Sequence, residues 1–179
     1  MVLLGIGLQI GISVLLSTIA TIKPDWFEDY GKLMEQLGMG NSAISILYLA
    51  LIAPISEELI FRGGDIRKKQ KGDTICNILQ AILFGIYHMN LIQGIYAFVI
   101  GMFLGMVCIK FKSLYAPIIL HMIINVSGII LGIGLTEEIL NIPAVMVAMM
   151  ILSIAAIVFS SIKLSKNQMI GKEKEFVIE

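Results

Sequence analysis

Apolar and polar residues fall in long separate blocks along this chain, and six of the blocks are almost entirely apolar. Each apolar block is close to the roughly 20 residues that a helix needs to cross about 30 Å of hydrocarbon, the fourth being a little short. Backbone groups find no hydrogen-bond partners in lipid, so such blocks must form helices. We therefore predict about six transmembrane helices, at residues 2–22, 43–62, 74–92, 94–109, 114–135 and 143–162.

The composition supports a membrane protein. Of the 179 residues, 58% are hydrophobic and 15% are charged, and the mean hydropathy is +0.92. A water-soluble domain of this length cannot bury that much apolar surface. The expected fold class is an all-α polytopic membrane helical bundle, with residues 1–179 in one domain and membrane lipid as a partner. The net charge is zero, so nucleic acid is not an expected partner. Cys76 and Cys108 have no metal-ligand spacing, and we expect buried thiols without a disulfide.

Charge in the connecting segments predicts the orientation. Lysine and arginine concentrate in the loop 63–73 and in the tail 163–174, whereas acidic residues dominate 25–35 and 137–138. Basic loops remain on the cytoplasmic side. We therefore predict a multi-pass protein of the cell membrane with both termini in the cytoplasm. The segment 23–42 is expected to form an amphipathic helix on the outer interface.

Two adjacent carboxylates interrupt the second apolar block. Glu57 and Glu58 lie within it, and Arg62 follows four residues after Glu58. Carboxylates at membrane depth are costly, so they face the protein interior or a wet cavity and usually mark a functional site. Glu58 and Arg62 have the favoured order for an ion pair at i and i+4. Glu57 is then left without an obvious local counter-ion.

The two histidines of the chain also lie in apolar blocks. His88 follows Phe84 by four residues in the third block, and Asn125 follows His121 by four residues in the fifth. Residues four apart project from similar faces of a helix. Each pair is therefore expected to present its two side chains to one region of the bundle.

The depth of these groups constrains the second helix. If this helix continues through the basic run to about Lys71 and turns at Gly72–Asp73, Glu57 and His88 both lie about 22 Å from the turn, at 1.5 Å per residue. They are then neighbours in an antiparallel hairpin, and His121 enters from the same side. The predicted site lies below the cytoplasmic surface and not at the far face.

Such a group suits hydrolysis of an amide by an activated water. A carboxylate at low dielectric has a raised proton affinity and acts as a general base near neutral pH. A neighbouring histidine can orient the water or carry a proton, and a second histidine with an asparagine can donate to a developing oxyanion. No serine has the Gly-x-Ser-x-Gly setting of a covalent nucleophile.

Three motifs in this order resemble those of the CPBP family. The family contains type II CAAX prenyl proteases and the bacteriocin-processing and immunity proteins also called Abi proteins, and the resemblance covers roughly residues 43–130. It implies an intramembrane endopeptidase in which Glu57 activates water with His88, while His121 and Asn125 stabilise the oxyanion. Glu58 completes the catalytic set, with Arg62 and Phe84 in support. The motifs are Glu57-Glu58-x-x-x-Arg62, Phe84-x-x-x-His88 and His121-x-x-x-Asn125.

The sequence leaves the metal open. Members of the family are often described as metalloproteases, and Glu57, His88 and His121 would form a two-histidine, one-carboxylate zinc set with water in the fourth position. The HExxH spacing of a metalloprotease helix is absent. The expectation is therefore a site that requires no metal, with divalent zinc as the alternative.

Two other functions compete with a peptidase acting on small membrane-associated peptides or precursors. A non-catalytic bacteriocin-immunity or peptide-binding protein could use the same fold, although a pure binder would not need both histidines and the glutamate. A proton-coupled transporter also places carboxylates in the membrane. It predicts internal repeats, and the sequence shows none.

Overall fold

The protein is a bundle of helices. The computed structural model describes residues 1–26, 28, 31–32, 42–63, 73–135, 137–140 and 142–176, and gives the backbone alone at 73, 137–138 and 167–176. This part of the chain contains no strand, which confirms the all-α class. The helices are α1 (Val2–Ile22), α2 (Ala43–Arg62), α3 (Asp73–Tyr87), α4 (Leu91–Phe111), α5 (Tyr115–Gly134), the short α6 (Glu137–Leu140) and α7 (Pro143–Phe176).

Five of the helices are long and apolar enough to cross a membrane, namely α1, α2, α4, α5 and the part of α7 from Pro143 to Lys166. The third predicted span is shorter than expected, because α3 has 15 residues and ends at Tyr87. The fourth is correspondingly full length, with 21 residues. The chain turns where Met89 adopts a left-handed φ of 51° and the Asn90 side chain accepts from the Gln93 N–H, which caps α4.

Small residues bring α1 against α7. A Cβ atom placed on Gly7 would lie 2.8 Å from the Cβ of Ala156, so only glycine permits this approach. The Ser153 hydroxyl donates to the Gly7 carbonyl oxygen at 2.8 Å. Close approach through small residues and a polar bond is typical of helix pairs in membranes. The core between α1, α4 and α5 is apolar and includes Leu4, Leu104 and Leu120.

Glycines also bring α3 against α4. Gly85 faces Gly94, and a Cβ on Gly101 would lie 3.1 Å from the Cα of Ala81. Further along, the Asn77 amide donates to the Met102 carbonyl oxygen at 3.0 Å. This packing fixes the end of α3 that carries Phe84.

Helix α2 lies at the edge of the bundle. It begins after Ser42, whose hydroxyl accepts from the Ser45 N–H, and its contacts with α5 include the stretch from residue 48 onwards. Exposed side chains such as Ile44 and Ile60 cover its remaining faces. In a membrane these faces meet lipid.

Several predictions fall on other parts of the chain or need correction. Helix α2 was predicted to continue to Lys71, but it ends at Arg62, where Gly63 is its C-cap; residues 64–72 and most of the helix predicted at 23–42 lie outside the described residues. The last helix runs well beyond the predicted end at 162, to Phe176. Both cysteines are free, as predicted, but only Cys108 is buried, because Cys76 lies on an outward face of α3.

Candidate active site

The predicted ion pair within α2 is present and buried. Arg62 Nη1 donates to Glu58 Oε1 at 2.6 Å, and both side chains are almost completely shielded from solvent. Arg62 Nη2 also donates to the Gly101 carbonyl oxygen at 3.2 Å. Gly101 is the midpoint of α4, so the arginine reaches the middle of a full-length span. A buried charge at this depth is stable only with such partners.

His121 connects the two glutamates. Its Nδ1 lies 3.1 Å from Glu58 Oε1, and its Nε2 lies 3.8 Å from Glu57 Oε2. An ionised carboxylate only accepts hydrogen bonds, so Nδ1 carries the proton in that contact. The Glu58 carboxylate therefore fixes the imidazole with Nε2 directed toward Glu57.

Glu57 is the carboxylate of the pair that remains available. Its side chain is 15% exposed, whereas that of Glu58 is 0% exposed. Glu57 lies within electrostatic range of His121, His88 and Arg62. Glu58 is thus held in the buried ion pair with Arg62, whereas Glu57 stays outside that pair and lies beside His121.

His88 lies immediately after the end of α3, one residue beyond the helix in which the sequence places it. Its Nδ1 is 2.8 Å from the Phe84 carbonyl oxygen. A carbonyl oxygen only accepts, so Nδ1 is the protonated nitrogen, and Nε2 is left as the acceptor in the neutral ring.

Phe84 joins the two histidines and the arginine. Its ring centroid lies 4.9 Å from that of His88 and 5.8 Å from that of His121, both in edge-to-face geometry. The Arg62 guanidinium carbon lies 5.0 Å from the same ring. Phe61 adds a further edge-to-face contact to Phe84 at 5.2 Å. The fully buried Phe84 therefore packs against three polar groups, and its supporting role stays a prediction.

Asn125 lies one turn beyond His121 and holds α2 in place. Its Nδ2 donates to the Leu49 carbonyl oxygen at 2.8 Å. Residues Tyr48–Ile52 form a π-helix, in which the Ala53 N–H donates to the Tyr48 carbonyl oxygen five residues earlier. The next carbonyl in this register, that of Leu49, would face Pro54, which has no N–H. The Asn125 amide supplies the missing donor.

The sequence brought out the seven motif residues but not every group that positions them. The Gly101 carbonyl, the Leu49 carbonyl and the ring of Phe61 were not anticipated. Backbone acceptors leave no mark in a sequence. Pro54 in the middle of an apolar helix was the one available signal of a freed carbonyl.

The described residues do not contain a group of three His, Cys, Asp or Glu side chains arranged to hold a metal ion. Glu57, His88 and His121, the alternative zinc set, are therefore not gathered into a three-ligand site in this arrangement. The Nδ1–H of His121 is directed to Glu58 and that of His88 to a backbone carbonyl, which leaves the Nε2 atom of each ring open, as it is in metal-ligating histidines. That no metal is required stays a prediction, and the chelator experiment below tests it.

Comparison with known proteins is consistent with this geometry. The model of the family described as type II CAAX prenyl endopeptidase, Rce1-like, matches residues 39–127, which include α2 to α4 and every motif residue named above. No match was found among curated proteins or among solved structures. The chain is a multi-pass membrane protein by the length and composition of its helices. It belongs to the Rce1-like family of CAAX-type intramembrane endopeptidases.

Proposed function

We propose that this protein is an intramembrane endopeptidase that hydrolyses peptide bonds in small membrane-associated peptides or precursors with a water molecule activated by Glu57. One observation carries the proposal: Glu57 is a carboxylate outside the Glu58–Arg62 ion pair, and it lies beside His121. The family match supports endopeptidase activity in general.

The chemistry follows from the acceptors and donors around Glu57. Glu57 takes a proton from water as the water oxygen attacks the scissile carbonyl carbon, and the free Nε2 of His88 orients that water. The carbonyl oxygen becomes an oxyanion. When the carbon–nitrogen bond breaks, Glu57 returns the proton to the leaving amine. Glu57 ends the cycle as a carboxylate, and no covalent intermediate forms.

Two donors are proposed for the oxyanion. His121 would donate from Nε2, which requires the imidazolium form because Nδ1 already donates to Glu58. Asn125 would donate from the amide hydrogen that is not bound to Leu49. Removal of one preorganised donor typically lowers kcat by about 100- to 1,000-fold.

The proposed orientation places both termini and the cutting side toward the cytoplasm. Basic residues at Lys110 and Lys112, at one end of α4, support this side.

The test is a cleavage assay with the purified protein in liposomes. A mixed library of membrane-binding peptides, with and without a prenyl group, is analysed by mass spectrometry, in the presence and absence of a chelator. We expect products from the wild type that fall by about two to four orders of magnitude in Glu57→Gln, which keeps the shape and removes the base. Products that survive the chelator confirm a metal-free site.

Glu138→Gln is the matched control, since it makes the same change in the loop predicted to face water. It should cleave like the wild type. If the wild type binds peptides but neither it nor the control cuts any of them, the protein is a peptide-binding member of the fold and the proposal is wrong.

A further inference from the structure

A second polar feature lies away from the motif residues. Gln9, Ser13, Ser17 and Thr21 recur every four residues along α1, and all four line a cavity of about 990 Å³ between α1, α5 and α7. This volume is near the upper end of the 300–1,000 Å³ typical of ligand sites. A polar stripe on a membrane-spanning helix faces the bundle interior or a wet cavity and usually has a function.

The hydrogen-bonding capacity of this stripe is largely unused. Among the described residues, the side chains of Gln9, Ser13 and Ser17 make no hydrogen bond, although each is partly buried. Thr21 donates to the Ser17 carbonyl oxygen, and its own oxygen is left as an acceptor. The stripe therefore presents a row of donors and acceptors to whatever occupies the cavity.

The opposite wall is made by α5 and contains glycine. Gly128 and Gly132 line the cavity, and a Cβ placed on Gly132 would meet no atom within 4 Å. The series His121, Asn125, Gly128 and Gly132 has spacings of four, three and four, so all four residues lie on one face of α5. The glycine wall thus continues the face that carries the two site residues, beginning about 4.5 Å beyond Asn125 along the helix axis.

The spacing of the stripe fits an extended peptide. Side chains four residues apart on a helix are about 6.0 Å apart along its axis. In an extended chain, backbone groups that point the same way recur every two residues, about 6.6–6.8 Å apart. The difference is less than 1 Å per step, which serine and glutamine side chains can accommodate. Gly132, where a Cβ would meet no atom within 4 Å, lets a peptide backbone approach closely, whereas Gly128 is covered by the Gln9 side chain.

We infer that this cavity binds an extended segment of the peptide substrate, next to the bond that is cut. The α1 stripe bonds the peptide backbone, and the rest of the lining, which is apolar apart from Glu28 and includes Leu131 and Leu135, receives its side chains. The inference rests on the proposed function, because it extends the peptide from the site of Glu57 along the face of α5.

The experiment fills the cavity without disturbing the fold. Gly132→Leu adds a side chain at a cavity-lining position where a Cβ meets no atom within 4 Å, so the protein should fold normally. Gly134→Leu is the matched control: it lies on the same helix, its Cβ also meets nothing within 4 Å, and it does not line the cavity. Ser13→Leu/Ser17→Leu is a second cavity variant that removes the hydroxyls of the stripe.

Both cavity variants should raise KM for a long cleaved peptide by about tenfold or more, which corresponds to about 1.4 kcal/mol of binding, with kcat little changed. Gly134→Leu should match the wild type. Equal KM values for Gly132→Leu and Gly134→Leu would overturn the inference while leaving the peptidase proposal intact.

Binding is measured separately, so that failure of the catalytic proposal can be recognised. A photoreactive amino acid is introduced at Ser17 in the Glu57→Gln protein, and a fluorescent apolar peptide from the library is the probe. Cross-linking that Gly132→Leu abolishes and Gly134→Leu preserves supports the cavity as the peptide site, even if the wild type cuts nothing. Cross-linking that is equal in both variants contradicts it.

Discussion

Two adjacent glutamates with the same side chain have different environments because a helix turns by about 100° per residue. Glu58 points into the bundle, where Arg62 and His121 surround Oε1. Glu57 points toward the outer nitrogen of the same histidine and keeps some exposure. One residue step along the helix is therefore enough to separate a carboxylate that builds the site from one that can act on a substrate.

The Glu58–Arg62 pair makes a clear prediction for stability. Arg62→Met should destabilise the protein by about 3–5 kcal/mol, because it leaves the buried Glu58 carboxylate without its cation. The measurement is thermal or denaturant unfolding of the purified protein in detergent. A loss below about 1 kcal/mol, the level of an exposed pair, would contradict the burial seen here.

The double variant Glu58→Gln/Arg62→Met provides the control. It removes both charges, so it should recover much of the stability lost in Arg62→Met. Activity should stay low in the double variant, because the glutamine cannot hold His121 as a carboxylate does. Recovery of stability without recovery of activity separates the structural role of the pair from its positioning role.

For single residues, the sequence predicted the Glu58–Arg62 ion pair but not the other groups that bind these two side chains. The acid-first spacing of four residues is a local feature, so it could be seen without a structure. The Gly101 carbonyl that binds Arg62 is 39 residues away and belongs to the backbone. Its position depends on how α2 and α4 pack, which the sequence pattern does not encode.

Among the helices, α2 has the feature most specific to the site. Its π-helical stretch Tyr48–Ile52 precedes Pro54 and changes the angular relation between the start of the helix and Glu57. Wide turns of this kind are frequent at functional sites. The bond from Asn125 to Leu49 fixes this stretch to α5, and therefore fixes the direction of the glutamates.

The hydrogen bond from Asn125 to the Leu49 carbonyl predicts that substitutions at Asn125 and Pro54 have coupled effects on stability. Asn125→Leu keeps a similar volume and removes the donor, so the partly buried Leu49 carbonyl loses its partner and stability should fall by about 1–3 kcal/mol. Adding Pro54→Ala restores a backbone N–H at position 54, which can serve Leu49 in the π register. The double variant should therefore be more stable than Asn125→Leu, as measured by thermal unfolding.

Activity distinguishes this role from donation to the oxyanion. If Asn125 also donates to the oxyanion, the double variant regains stability and stays slow, because the second amide hydrogen is still missing. If Pro54→Ala gives no recovery of stability, the account of Asn125 as the substitute for a proline-blocked donor is wrong.

Helix existence was largely predictable, and helix ends were not. Apolar length predicted each long helix, because lipid leaves the backbone no other arrangement. The end of α3 was misplaced because Met89 and Asn90 turn the chain within an apolar block. Asn90 three residues before Gln93 was a capping signal that the hydropathy pattern concealed.

For the whole molecule, the sequence predicted that α2, α3 and α5 meet at one site. It predicted less securely which side of the membrane this site faces. The α3–α4 turn at Met89 and the α4–α5 turn at Ser113 lie at opposite ends of α4. Because α4 and α5 are antiparallel, the end of α5 that carries Gly132 lies at the Met89 end. Labelling these two turns therefore orients the site and the cavity together.

The predicted orientation places Met89 outside and Ser113, next to Lys110 and Lys112, in the cytoplasm. In a protein without Cys76 and Cys108, Met89→Cys should react with a membrane-impermeant maleimide added to intact cells, since Met89 is 86% exposed. Ser113→Cys should react only after the cells are permeabilised. The reverse labelling pattern would show that the protein has the opposite orientation in the membrane. The cavity mouth near Pro24 and Pro143 would then face the cytoplasm, and substrates would be expected to enter from that side.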